Sequence, residues 1–259
     1  MSAFAFGSRL ALLGMTAKAA AHFVLPTDCL ACRMRRVDRF LEGGVCDACW
    51  DSLPPRGESR CARCDETLPG APDPSAICGR CLLDPPEFSS LRSAAPYAGS
   101  ARAILRAFKF RGADYLAARL AAAMARRLAP PPADEIACVP ATFRARRARG
   151  YHPAEALAAA LAARLEIPFV RRRLVKRRET EVQSGLPLAR RAVNVRGAFR
   201  AAGRPAGRVL LVDDVATSGA TARECSRRLI GAGARVVTVW CFARVSRADL
   251  PEPPEPESA

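Results

Sequence analysis

No stretch of 18 consecutive apolar residues occurs in the 259 residues, so no membrane-spanning helix is expected. Lysine is nearly missing. Only Lys18, Lys109 and Lys176 occur, and the net charge of +16 rests on arginine. Abundant alanine and the 21 prolines mark the same compositional bias, so the position of the arginines says more than their number. The Ala-rich residues 1–25 lack a basic leading region, and Arg9 interrupts their apolar stretch. A short packed helix is expected there rather than a secretory signal. Residues 248–259, rich in Pro and Glu, are expected to form a disordered acidic tail.

Eight of the 11 cysteines fall in four C-x-x-C pairs, Cys29/Cys32, Cys46/Cys49, Cys61/Cys64 and Cys78/Cys81. In each half 13 residues separate the pairs, and the second half is the first displaced by 32 positions. Two such knuckles supply four thiolates, enough to close a tetrahedral zinc site. A disulfide within a C-x-x-C pair would be strained. The region is rich in Pro, Gly and Arg and lacks the strand–helix frame of a thioredoxin-like redox centre. The reading is two zinc ribbons in tandem over 26–84, with one Zn²⁺ on Cys29, Cys32, Cys46 and Cys49 and the other on Cys61, Cys64, Cys78 and Cys81. Four thiolates leave no open coordination position, so both sites are expected to be structural. Few large apolar residues lie here, so metal binding should supply most of the folding energy. Arg33, Arg35, Arg36, Arg60, Arg63 and Arg80 would offset the net −2 of each centre. Reduced thiols imply a reducing compartment, and a cytoplasmic location is expected. Cys138, Cys225 and Cys241 stand alone in apolar or helical contexts and read as small core residues.

Residues 209–221 combine a strand, two acids and a loop. Val209–Val212 is short, β-branched and unbroken, which suits a strand buried on both faces of a parallel sheet. Asp213 and Asp214 follow, then Thr217-Ser218-Gly219-Ala220-Thr221 and a helix from about Ala222 to Ile230. A loop entering a helix presents unpartnered first-turn amides, and the helix dipole favours an anion there. Two carboxylates repel a phosphate, but they suit the hydroxyls of a sugar that carries one. The stretch resembles the phosphoribosyl pyrophosphate (PRPP) signature of type I phosphoribosyltransferases. The resemblance implies Asp213 and Asp214 on the ribose 2′ and 3′ hydroxyls, as the catalytic pair. It implies Thr217, Ser218, Gly219, Ala220 and Thr221 on the 5′-phosphate.

Elsewhere, 84–90 reads as a Pro-containing linker and 90–247 as a second domain. Leu91 to Ala129 reads as helical, with apolar residues from Ile104 to Leu128 every three or four positions and a break at 111–114. Strands are expected at 135–139, near Phe169, at 209–213 and at 235–242, and a helix at 153–165. Their alternation argues for an α/β fold built on a parallel sheet, with ligand groups at the carboxyl ends of the strands.

Further motifs make the resemblance specific. These are Phe108-Lys109-Phe110-Arg111-Gly112, Val139-Pro140 followed by Arg149-Gly150-Tyr151, Gln183 with Arg190 and Arg191, and Asn194-Val195-x-Gly197-x-Phe199. Over roughly residues 25–245 the chain resembles the ComF family, named for a competence protein of bacteria that import DNA. That resemblance implies a type I phosphoribosyltransferase-like domain preceded by a double zinc ribbon. It places Pro140–Gly150, with Arg144, Arg149 and Gly150, at pyrophosphate. It places a mobile flap at Lys176–Asn194, carrying Lys176, Arg177, Arg178, Gln183, Arg190 and Arg191. The family pattern Arg-Gly-Phe-Asn-Gln is replaced here by Arg149-Gly150-Tyr151-His152-Pro153, and a lone loop histidine reads as a surface residue.

Three functions follow from these features. As an enzyme, the protein would bind PRPP with Mg²⁺ and transfer a pentosyl group to an acceptor, chiefly by positioning and electrostatics. As a DNA-binding protein on the same scaffold, it would hold single-stranded DNA through Arg144, Arg146, Arg147 and Arg149 and through the basic run 171–178. As an adaptor, its ribbons would dock a competence helicase or another DNA-import protein. The intact acid pair leans towards PRPP, because a groove made only for DNA would lose affinity by keeping two carboxylates.

Overall fold

Buried on both faces, the run Val209–Val212 lies in the middle of a four-stranded parallel sheet. The structure is a computed structural model and describes residues 27–37, 43–110, 112–141, 147, 150–178 and 193–246. The expected N-terminal helix over 1–25 and the acidic tail over 248–259 lie outside the described residues.

The chain divides into two compact units, Met1–Leu53 and Pro54–Ala259. In the first, β1 (Thr27–Asp28) pairs antiparallel with β2 (Arg36–Val37), and α1 (Asp47–Asp51) starts directly after Cys46 and carries Cys49. Cys29, Cys32, Cys46 and Cys49 bring their Sγ atoms within 4.8 Å of one another. The separations Cys29–Cys49 and Cys32–Cys46 are both 3.9 Å. Tetrahedral bonds of about 2.3 Å to zinc require sulfur–sulfur distances of about 3.8 Å, far longer than a disulfide. The thiolates therefore fit Zn²⁺.

The second unit holds the other ribbon and the sheet together. Cys61, Cys64, Cys78 and Cys81 form the same cluster, with Cys64 and Cys78 at 3.7 Å. Cys78 leads into α2 (Gly79–Leu83). The sheet follows: β3 (Ser90–Pro96), β4 (Glu135–Cys138), β7 (Arg208–Ala216) and β8 (Val236–Arg244), in the order β3-β8-β7-β4, all parallel. Between them come α3 (Gly99–Phe110), α4 (Ala117–Arg127), α5 (Pro153–Leu165), the small hairpin β5 (Leu174–Lys176) with β6 (Phe199–Ala201), and α6 (Ala220–Gly231). The strand expected near Phe169 is a single parallel bridge to Ile136.

Leu91–Pro96 corrects the helical reading of that segment. It is a strand paired with β8 from Ser90 to Pro96. Ala94 and Ala95 favour helix by themselves, and burial of this stretch beside β8 overrides that preference.

One sheet face packs against α6, the hairpin and the second cysteine cluster in a single core that includes Leu91, Val209, Leu211, Val237, Val239, Leu229, Cys61 and Cys64. Cys138, Cys225 and Cys241 are buried, as their apolar settings suggest. Polar contacts join the ribbon to the strands, among them those of two adjacent acids. Asp65 accepts from the Ser93 N–H at 2.8 Å, and the Arg244 guanidinium pairs with Glu66 at 2.7 Å. Arg244 is 2% exposed and Glu66 6%, so this pair is fully internal. Nε and Nη1 of Arg244 meet no hydrogen-bond acceptor among the described residues. After Glu66, Cys64 is the negative group that acts most strongly on this guanidinium. A four-thiolate zinc centre carries net −2, and the buried cation offsets it.

Metal analysis of the purified chain should find two Zn²⁺ per molecule, and one or none would refute the assignment. Glu66→Gln should take from the buried Arg244 guanidinium its charge-assisted partner. Denaturant unfolding of the zinc-loaded chain should then show a loss of about 1.5–3 kcal/mol, whereas a change near zero would mean the pair contributes nothing.

Candidate functional site

At the carboxyl end of the sheet, β7 runs on through both acids to Ala216, beyond the strand the apolar run predicts. The reason is β8, which keeps register with it from Val236 to Arg244. Neighbouring residues of a strand face opposite ways, so the two carboxylates have different surroundings. Asp213 lines a concavity of about 30 Å³ with Thr217, Gly219 and Thr221, in front of the loop. Asp214 is buried and pairs with Lys109 Nζ at 2.8 Å. The Asp213 carboxylate accepts the Asp214 N–H at 2.8 Å. Burial and the neighbouring Asp214 charge push the Asp213 carboxyl up to about 8, against the pull of Lys109.

The loop closes on Gly219, whose φ of +79° is left-handed and suits a residue without a Cβ. Gly219 caps α6, Ala220 N–H donates to Ser218 Oγ at 3.3 Å, and Arg223 N–H returns to the Gly219 carbonyl at 2.9 Å. The structure thus brings Asp213, Thr217, Gly219 and Thr221 together, with Ser218 buried behind and Ala220 opening the helix.

Lys109 is the residue to which sequence reasoning gave no role. It sits in the last turn of α3, and burial opposes its charge while Asp214 holds its pKa above the ordinary lysine value. The signal was present: one of three lysines in an arginine-rich chain, inside the motif Phe108-Lys109-Phe110-Arg111-Gly112.

His152 is not a plain surface residue. It is 8% exposed and caps α5, its Nδ1 accepting from Glu155 N–H at 2.8 Å, with Pro153 at the first helical position. Nε2 lies 2.6 Å from the Ala141 amide, across the loop that begins there. A neutral ring accepts from one of these amides at a time. Histidine here does the work of a helix cap, which asparagine also does well.

The basic residues are partly engaged. Arg144, Arg146, Arg149, Gln183, Arg190 and Arg191 lie outside the described residues. Arg147 and Arg177 are exposed, and Gly150 has φ +77°. Lys176 belongs to the paired strand β5 and lies 5.4 Å from the centroid of the Phe199 ring. Arg178 donates to the carbonyls of Asn194 and Arg196. Arg173 makes a two-pronged pair with the buried Glu135, and Arg171 pairs with Glu155 at 2.6 Å. The run 171–178 is therefore not a uniform open patch, and Arg173 is already committed.

No helix among the described residues is long and apolar enough to cross a membrane. A family model for the double zinc ribbon domain matches residues 20–82. DNA utilization protein YhgH of Salmonella typhi is 33% identical over 228 residues, covering 85% of this chain and 98% of its own. The protein of the same name from Escherichia coli K12 is 31% identical over 235 residues, with the same coverage. Competence protein F of Haemophilus influenzae is 28% identical over 229 residues, covering 83% and 96%. Among solved structures, orotate phosphoribosyltransferase from Aeropyrum pernix aligns at a TM-score of 0.30 and 22% identity, over 55% of this chain and 64% of its own. Similarity to the curated relatives runs through ribbons and sheet domain alike, over nearly their whole length, and on that ground the chain belongs to the ComF family of competence and DNA-utilization proteins.

Proposed function

We propose that the protein binds PRPP with Mg²⁺ at the carboxyl end of β7, as a phosphoribosyltransferase-type site. The observation that carries the reading is the shared concavity of Asp213, Thr217, Gly219 and Thr221, at the mouth of a helix capped by a left-handed glycine. The amides of 217–221 suit the 5′-phosphate. The carboxylates of Asp213 and Asp214 suit the ribose hydroxyls, with Lys109 holding Asp214 in place. The arginine loop, Arg144 to Gly150, would meet the pyrophosphate. Mg²⁺ would enter with PRPP and supply neutralisation of its pyrophosphate charge. Were pentosyl transfer to follow, the protein's part would be orientation of the sugar and stabilisation of the departing charge.

The names of the relatives favour a second reading, single-stranded DNA binding in DNA uptake or utilization. The exposed arginines Arg147 and Arg177 fit it, and Arg173 does not. The two readings meet if DNA and PRPP compete for the arginine loop.

Calorimetry of PRPP–Mg²⁺ and of single-stranded DNA against one zinc-loaded preparation separates them. PRPP should bind, and Asp213→Asn with Asp214→Asn should abolish binding while leaving the fold intact, at about 1.5–3 kcal/mol for each acid. Equal affinity of the parent and the double variant would refute the site.

The raised pKa of Asp213 gives a second readout. At neutral pH the free protein keeps this carboxyl largely protonated, and hydroxyl donors with a nearby cation favour its charged form. Binding at pH 7 should therefore release close to one proton, and affinity should strengthen as pH rises towards 8. Calorimetry in buffers of different ionisation enthalpy measures this. Proton release that persists unchanged in Asp213→Asn would assign it to another group.

A further inference from the structure

The two cysteine repeats share a backbone but present different side chains. The residue after the second cysteine is left-handed in both, Arg33 at φ 59° and Asp65 at φ 61°. In both, the first sulfur accepts an amide 17 residues ahead, Cys46 N–H to Cys29 and Cys78 N–H to Cys61. Across the displacement of 32 positions, Arg33, Met34 and Ala48 correspond to Asp65, Glu66 and Arg80. Arg33 and Met34 are exposed, while Asp65 and Glu66 are buried against Ser93 and Arg244 of the sheet. Arg80 is the third difference. It lies between the knuckle residues Cys78 and Cys81, and its Nη2 donates to the carbonyl of Ser218 at 2.7 Å.

We propose that the second cysteine knuckle braces the 217–221 loop through Arg80, which makes Arg80 a positioning residue for that loop. The proposal deepens the PRPP reading and rests on it for its functional meaning. Its physical basis is the planarity of the peptide unit. The Ser218 carbonyl and the Gly219 N–H belong to one plane, and in a trans peptide they point in opposite directions. No cis peptide occurs among the described residues. Pinning the carbonyl on Arg80 therefore aims the Gly219 N–H away from the ribbon. Ser218 is only 3% exposed, so water cannot easily replace the guanidinium. A second tie runs from the same knuckle helix to α6. Arg223 Nη2 donates to Asp84 Oδ1 at 2.7 Å and to the Pro85 carbonyl at 3.0 Å. The helix whose N-terminus would meet the phosphate is thus held at its first turn by residues that follow Cys81. In the first repeat, alanine at position 48 offers no such donor.

The test has a ligand-free arm and a ligand arm, both on the zinc-loaded full chain. Hydrogen–deuterium exchange of the 217–221 amides is compared in wild type, Arg80→Met, Arg80→Lys and Arg63→Ala. Methionine keeps the stem of the side chain but not the donor, lysine keeps a donor, and Arg63 is an exposed cation between Cys61 and Cys64. Arg80→Met should exchange about tenfold faster or more, as expected for a lost charge-assisted hydrogen bond. Arg80→Lys should fall between the two, and Arg63→Ala should match wild type, all with two Zn²⁺ bound. Equal exchange in wild type and Arg80→Met overturns the brace, and so does an equal effect of Arg63→Ala. In the second arm, saturating PRPP–Mg²⁺ should raise the affinity for one of the two Zn²⁺, read by equilibrium competition with a chromogenic chelator, in wild type but not in Arg80→Met, because coupling between sites is reciprocal. An unchanged zinc affinity with PRPP bound refutes the coupling. Absence of PRPP binding in wild type instead refutes the PRPP reading, and the exchange comparison then still decides the brace.

Discussion

Four thiolates, Cys61, Cys64, Cys78 and Cys81, gathered in the core on one face of the sheet are the constraint on which the larger unit depends. Zinc on four thiolates leaves a net negative charge in a buried place, which is tolerable only beside a cation. Arg244, from the last residue of β8, is that cation, and Glu66 fixes its guanidinium. The pairing ties the ribbon to the strand beside β7 at the level of Ala216, one residue before the loop. A metal site that looks remote from the 217–221 loop in sequence is thus tied to the strand end beside it in the fold.

The same constraint separates the two ribbons. Both close a four-cysteine site with closely similar local geometry, so the metal alone cannot explain why only the second belongs to the compact unit of the sheet. Three side chains set the second repeat apart. Asp65, Glu66 and Arg80 are polar groups with partners on the sheet or the loop, where the first repeat has Arg33, Met34 and Ala48. Buried polar contacts need their partners in place. They therefore specify one docking geometry in a way that apolar contact alone would not.

Much of this was legible in the sequence where local chemistry is strong. The cysteine spacing gave both sites because tetrahedral coordination demands two knuckles, and β7 with its loop was visible because a β-branched run and a Thr-x-Gly-x-Thr turn leave few alternatives. The expected helix 153–165 matches α5, with a proline at its first position. The strand Ser90–Pro96 was hidden, because its small residues take their conformation from β8 rather than from themselves. Lys109, His152 and Arg80 were hidden for a related reason. Their partners, Asp214, the Ala141 amide and the Ser218 carbonyl, come from distant or unpatterned parts of the chain. Arg173 was misread for the opposite reason: a run of arginines looks like an open patch until Glu135 is found beneath it.

A crystal structure of the zinc-loaded chain grown with PRPP and Mg²⁺ tests the assignment of the site most directly. The ribose hydroxyls should lie on the carboxylates of Asp213 and Asp214, and the 5′-phosphate should lie within hydrogen-bond distance of the amides of 217–221. PRPP bound elsewhere on the molecule, or an empty loop at a concentration where calorimetry records saturation, would contradict it.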